Sequence, residues 1–198
     1  MLKPLETKSH KLFLIASIAT VVSTTGVIFA LGQLVDRKLE SIMILHDFYT
    51  VVFVMTGAGF VGILLFGDSS NNLANKGTLN LLRVLSILAA ASVFLVIFTG
   101  MIGYVYYRLP IPDSPKTIIK NTFPYAHDVM FETMEYLGLI GTVWATLIAY
   151  LTHHFKDMIF TNSLIKNGLV MLISIGIVYA LIISLAGIVP TKIASVQG

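Results

Sequence analysis

Two histidine–aspartate pairs are the residues of this chain whose types and spacing best suit chemistry. His46-Asp47 and His127-Asp128 each lie near the start of a long apolar segment. Each histidine is followed eleven residues later by a glycine, at 57 and at 138. Imidazole is a suitable axial ligand for haem iron, and two matched histidines in an apolar bundle could bind one iron from both sides. We therefore take His46 and His127 as the candidate metal ligands.

A second repeated phrase precedes each of these pairs. Thr25-Gly26-Val27-Ile28 recurs as Thr99-Gly100-Met101-Ile102. Because this phrase and the histidine pair recur in the same order, we predict that a helical hairpin was duplicated. A twofold axis along the membrane normal would then place the two histidines at the same depth, facing one another across the bundle.

Two glutamates follow His127 on the same predicted helix. Glu135 lies about 80° around the helix from His127, at 100° per residue. A charged group in hydrocarbon costs several kcal/mol unless it faces protein or water, so this polar face should point into the bundle. We predict that Glu135, together with Glu132, takes up or releases protons.

The composition is that of a membrane protein. Hydrophobic residues make up 56% of the 198 residues and charged residues only 12%, with a mean hydropathy of +0.87. There is no cysteine, which excludes disulfides, thiolate zinc sites, cysteine-ligated iron–sulfur clusters and covalently attached c-type haem. The formal charge of +3 is spread over the loops. We therefore expect a lipid bilayer, and not a nucleic acid, as partner.

Five apolar segments are long enough to cross a bilayer, which takes about 20 residues each. We predict one all-α integral membrane domain, residues 1–198, with five transmembrane helices. The first four would form a pseudo-twofold bundle, and the fifth would pack outside it or against a partner. The predicted helices span about 11–35, 41–66, 81–107, 125–154 and 164–188.

The segment 108–124 is rich in proline, which forbids a continued helix. It lies at the end of the bundle that holds His46 and His127, where two interpretations remain: a lid over that end, or a rigid connector. The aromatic residues at this end are typical of a belt at the membrane interface. The flank before the first helix contains Lys3, Lys8 and Lys11, which favours a cytoplasmic amino terminus in a multi-pass protein of the cell membrane.

In its first four helices, with His46 on the second and His127 on the fourth, the chain resembles the four-helix haem-binding membrane bundles. These include the halves of haem A synthase and the di-histidine b-type cytochromes. The resemblance implies a b-type haem between His46 and His127, in a subunit that passes electrons to or from quinone within a respiratory complex. Arg37 and Arg108, at the same end, would pair with the haem propionates. Each histidine here is followed by aspartate and not by arginine, which argues against haem A synthase activity itself.

Two other classes of protein remain open at this point. The nitrogen and oxygen donors of the histidines and carboxylates also suit a non-haem copper, iron or zinc ion. Alternatively, the chain is a cofactor-free structural or assembly subunit whose carboxylates pair with other subunits of a membrane complex. No nucleophile–base arrangement or phosphate-binding glycine loop is present, so any catalysis would be that of an electron-transfer subunit.

Overall fold

Helices account for all the regular secondary structure that the computed structural model describes, which covers residues 3–67, 72–112 and 114–196. Side chains are described for 15–67, 76–112 and 114–187. A π-helical turn, Ala126–Phe131, lies directly before α5. The α-helices are α1 (Lys3–Leu34), α2 (Lys38–Phe66), α3 (Asn72–Tyr107), α4 (Pro115–Thr122), α5 (Glu132–Gly138), α6 (Ile140–His154) and α7 (Ser163–Val196).

Within the described residues, five helical stretches are long and apolar enough to cross a membrane. They are Ile15–Leu34, Lys38–Phe66, Lys76–Tyr107, Ala126–His154 and Ser163–Gly187. The fourth stretch combines the π-helical turn, α5 and α6. Their number agrees with the prediction of an all-α, multi-pass membrane protein. In hydrocarbon every backbone N–H and C=O must be satisfied within the chain, and helices achieve this segment by segment.

The centre of the molecule is a four-helix bundle of α2, α3, α6 and α7. One apolar cluster joins Phe53 of α2, Val93 of α3 and Ala145 of α6, with Ile177 of α7 packed against it. The Trp144 indole N–H donates to the Leu172 carbonyl at 2.9 Å, which ties α6 to α7. Each helix of the bundle thus contacts two neighbours, and α7 closes the ring between α6 and α2.

Helix α1 lies outside this bundle, packed mainly on α2, and this corrects the predicted arrangement. Only 6% of its apolar span is buried, against 28% for α2. Its polar link to α2 is a 2.9 Å hydrogen bond between the Thr25 and Tyr49 hydroxyls. The helix that packs centrally is α7, which was predicted to lie outside. Both helices are apolar on all sides, so hydropathy alone does not distinguish an inner helix from an outer one.

The glycines of the predicted repeat have unlike surroundings. A Cβ at Gly57 would meet Ile177 of α7 at 3.0 Å, whereas nothing lies within 4 Å of the same position at Gly138. Gly100 faces His46, and its repeat partner Gly26 has no neighbour within 4 Å. The space beside Gly57 is therefore taken by α7. The duplication itself stays a prediction from the sequence.

Several boundaries differ from the predicted ones. Helix α1 begins at Lys3 and α7 ends at Val196, each eight residues beyond its predicted span, and α3 begins at Asn72 instead of at about residue 81. Polar residues can continue a helix beyond the hydrocarbon. The proline-rich segment contains the short helix α4. Ser114 is its N-cap and accepts a hydrogen bond from the Thr117 N–H, and Pro115 occupies the first turn. The Ile119 side chain is fully buried, so α4 packs firmly over this end of the bundle.

Candidate functional site

A polar cluster lies beneath α4, where α3 ends and the π-helical turn begins. His127 is at its centre and is 1% exposed. Its Nδ1 lies 2.9 Å from the Tyr107 hydroxyl, in a hydrogen bond that is itself buried. Phe131 stacks on Tyr107 with ring centroids 3.9 Å apart, and Ile119 of α4 joins the same apolar cluster. The imidazole is therefore held at a defined position and shielded from water.

The π-helical turn places the Glu132 carboxylate, one turn further along the helix, on the same side as His127. The Glu132 N–H donates to the His127 carbonyl, which is the i to i+5 hydrogen bond of a π-helix. In an α-helix, residues five apart lie about 140° apart around the axis, at 100° per residue. Here the wider turn places ligand atoms of His127, Asp128 and Glu132 within 4.8 Å of one another. This trio has the donor set of a metal site.

The two carboxylates of the trio are only loosely held. Lys120 Nζ lies 3.9 Å from Asp128 Oδ1, and Arg108 Nη2 lies 3.9 Å from Glu132 Oε1. The Asp128 side chain is 50% exposed and that of Glu132 39%. Long, partly solvated ion pairs of this kind contribute little, typically about 0–1 kcal/mol. Both carboxylates are free to turn towards a cation.

Glu135 is bound much more tightly than Glu132. The Tyr104 hydroxyl donates to Glu135 Oε1 at 2.5 Å, and Arg108 Nη2 donates to Glu135 Oε2 at 3.0 Å. The Arg108 guanidinium also lies 4.8 Å from the centroid of the Tyr104 ring, and its Nε is buried without a partner among the described residues. Tyr104 is on α3 and Arg108 directly follows its last residue, so this cluster fastens α5 to the end of α3.

His46 lies in a different environment on α2. Its Nδ1 is 2.8 Å from the Val96 carbonyl oxygen of α3, and the Thr99 hydroxyl is 3.3 Å from the same nitrogen. A carbonyl can only accept, so Nδ1 carries the proton and Nε2 presents a lone pair. A backbone carbonyl holding one ring nitrogen is a common companion of a metal-binding histidine.

The two histidines contact α3 at different levels. His46 binds at Val96 and His127 at Tyr107, and eleven residues of α-helix rise by about 16 Å. The length of the tyrosine side chain recovers only part of this separation. One metal ion needs both imidazole nitrogens within about 2 Å. The structure therefore does not bring His46 and His127 together around one iron, and the residues as placed do not fit a shared haem.

The predicted propionate partners are also separated. Arg108 belongs to the cluster around Glu135. Arg37 lies in the link between α1 and α2, where its side chain is 71% exposed and 3.6 Å from Glu40. The described contacts of Arg37 do not include either histidine. Of the predicted site residues, the structure thus groups His127, Glu132, Glu135 and Arg108, and it leaves His46 and Arg37 elsewhere.

Several residues of this site were not identified from the sequence. Tyr104 and Tyr107 resemble interfacial aromatic residues, and no local pattern shows that their hydroxyls bond to Glu135 and His127. Ser114-Pro115 is an N-cap signal that could have revealed α4. The π-helical turn has no recognised signal in the sequence.

Comparison with protein-family models finds no matching family, and comparisons with curated proteins and with solved structures find no match either. The class that the fold defines is a multi-pass membrane protein with five helices able to span the bilayer. Its function is therefore argued from the geometry of this site.

Proposed function

We propose that the protein is a membrane protein that binds a divalent transition-metal ion through His127, Asp128 and Glu132. The observation that carries the proposal is the convergence of these three ligand atoms within 4.8 Å around a buried imidazole. One nitrogen and two carboxylate oxygens suit Zn²⁺, Fe²⁺ or Mn²⁺. Bonds of about 2.0–2.2 Å require the carboxylates to turn inwards slightly, which their weak ion pairs allow.

The surroundings of His127 support its proposed role as a ligand. In the bound form, Nδ1–H donates to the Tyr107 oxygen and Nε2 faces the ion. Such a partner fixes the tautomer and the ring orientation. Three protein ligands leave at least one coordination position for water or a substrate, as in catalytic and not structural sites.

In this proposal the two glutamates, which were both predicted to transfer protons, have different roles. Glu132 becomes a ligand, so it does not carry protons. Glu135 is the carboxylate beside the centre, and its hydrogen bonds to Tyr104 and Arg108 position it there.

The proposal is tested by metal binding to the purified protein in detergent. After dialysis against Zn²⁺, elemental analysis should give about one ion per chain, and Co²⁺ should give the visible bands of a low-coordinate site. His127→Ala and Glu132→Gln should each weaken Zn²⁺ binding by at least about 10–100-fold, the loss that follows removal of even an outer-shell partner.

Matched controls are available at exposed positions. His154→Ala removes an exposed histidine at the far end of the same span, and Glu40→Gln removes an exposed carboxylate. Both variants should bind Zn²⁺ as the wild type does. A wild-type protein that retains no Zn²⁺, or equal losses in the controls, would reject the metal site and favour a cofactor-free subunit held by ion pairs.

A second candidate is a b-type cytochrome-like subunit that passes electrons to or from quinone, with His46 as its haem ligand. It is favoured by the Nε2 lone pair that the Val96 carbonyl leaves on His46. The same preparation tests it: after reduction with dithionite, it should show the α-band of a b-type haem, which His46→Ala removes. Absence of haem absorbance in a haem-sufficient preparation would reject this candidate and leave the metal proposal untouched.

A further inference from the structure

A basic cleft lies at the opposite end of the bundle, between the start of α3 and the turn that follows α6. Its volume is about 180 Å³. It is lined by Lys76, Leu79, Asn80, Arg83, Lys156 and Asp157. None of these residues belongs to the candidate metal centre, and the two sites are separated by the length of a membrane span.

The charge of this cleft is unbalanced. Lys76, Arg83 and Lys156 contribute three cations, and Asp157 contributes the single carboxylate of the lining. Among the residues that the structure describes, none of the three cations lies within 4 Å of a carboxylate oxygen. Like charges gathered at one cleft repel one another unless an anion lies between them.

His153 orients Arg83 in this cleft. Arg83 Nε donates to His153 Nδ1 at 3.1 Å, which leaves the terminal guanidinium nitrogens available. Because arginine can only donate, His153 Nδ1 is the acceptor, and the proton of the neutral ring is on Nε2. That Nε2 is buried and has no hydrogen-bond partner within the described part of the chain. The end of α6 therefore holds a buried N–H donor without an acceptor, in addition to the terminal N–H groups of Arg83.

We propose that the cleft binds a phosphate group at the edge of the membrane. Arginine and lysine side chains are the usual partners of phosphate oxygens, and Asn80 adds a neutral donor. Lys76 is the first residue of its span and Arg83 lies about 10 Å further in along the helix, which covers the depth of a lipid headgroup. The phosphate is carried by an anionic phospholipid or is free in solution, and the following experiment separates the two sources.

The test uses the full-length protein in detergent and two probes. Native mass spectrometry measures binding of phosphatidylglycerol, with phosphatidylcholine as the neutral comparison, and isothermal titration calorimetry measures binding of inorganic phosphate. Lys76→Gln combined with Lys156→Gln should weaken phosphate-group binding about 25-fold, roughly fivefold per lysine. Both lysines are exposed, so the variant should fold, and its retained Zn²⁺ binding at the other end of the bundle would show this independently.

The matched control is Lys38→Gln combined with Lys116→Gln, which removes the same charge at the other end of the bundle. It should bind both probes as the wild type does. A loss confined to the lipid arm identifies an anionic headgroup as the ligand, a loss confined to the phosphate arm identifies free phosphate, and a loss in both shows a site open to either. Unchanged binding in both arms, or an equal loss in the control, overturns the proposal.

Discussion

Tyr107 shows how a single residue determines the properties of the candidate metal centre. Its ring stacks on Phe131, and its hydroxyl bonds to His127 Nδ1. The stacking fixes where the hydroxyl lies, and the hydroxyl fixes which imidazole nitrogen can face an ion. In the proposed metal centre, a ligand held in this way would lose little conformational freedom on binding, so the tyrosine would contribute to affinity without touching the ion.

Tyr107→Phe should therefore weaken Zn²⁺ binding by about 10–100-fold, because it removes the hydrogen bond and keeps the stacked ring. Competition with a metal-sensitive dye measures the change. Tyr106→Phe is the matched control, since Tyr106 is exposed, lies about 100° around the helix from Tyr107 and has no contact with His127 among the described hydrogen bonds. Equal affinities of wild type and Tyr107→Phe would show that the tyrosine does not support a ligand.

At the scale of elements, the π-helical turn determines which side chains meet. It adds one residue to a helical turn, and π-turns of this kind are frequent at functional sites. Without it, His127 and Glu132 would project in widely different directions from the same helix. The short helix α4 complements the turn by burying Ile119 over it. The geometry of the site thus depends on an irregularity in an otherwise regular span.

Insertion of an alanine after Val129, which is exposed within the turn, should place His127 and Glu132 six residues apart. The added residue turns the two side chains apart by about 100°, and Zn²⁺ binding should fall below detection while circular dichroism remains helical. Insertion of an alanine after Thr161, an exposed residue in the turn after α6, controls for the effect of lengthening the chain and should leave Zn²⁺ binding intact. Retained binding after the insertion at Val129 would contradict the role given to the turn.

At the scale of the whole molecule, the first helix of the chain, α1, packs outside the bundle, and the last helix, α7, is one of its four members. The close approach of Ile177 to Gly57 shows why α7 packs inside: a residue without a side chain lets a neighbouring helix come near. Most of the α1 span faces outwards, as expected of a helix that contacts lipid or another subunit.

Disulfide trapping can test this arrangement, because the chain has no cysteine of its own. Gly57→Cys with Ile177→Cys should cross-link under mild oxidation in membranes, since a Cβ at position 57 would lie 3.2 Å from Ile177 Cγ1 and a disulfide needs Cβ atoms about 3.5–4.5 Å apart. Val27→Cys with Ile177→Cys pairs an exposed position on α1 with the same residue and should not cross-link. The opposite pattern, read from gel mobility, would place α1 inside the bundle.

The residues themselves determined that this is an all-α membrane protein with five spans, because only long apolar helices satisfy their own backbone in lipid. They also marked His127, Glu132, Glu135 and Arg108 as unusual, since polar groups in such segments are costly without partners. The tertiary structure alone decided that α7 packs inside and α1 outside, that Tyr107 holds His127, and that His46 lies at another level. The reason is physical: lipid is as apolar as the protein interior, so hydropathy does not select between helix faces, and packing and hydrogen bonds between distant residues make the choice.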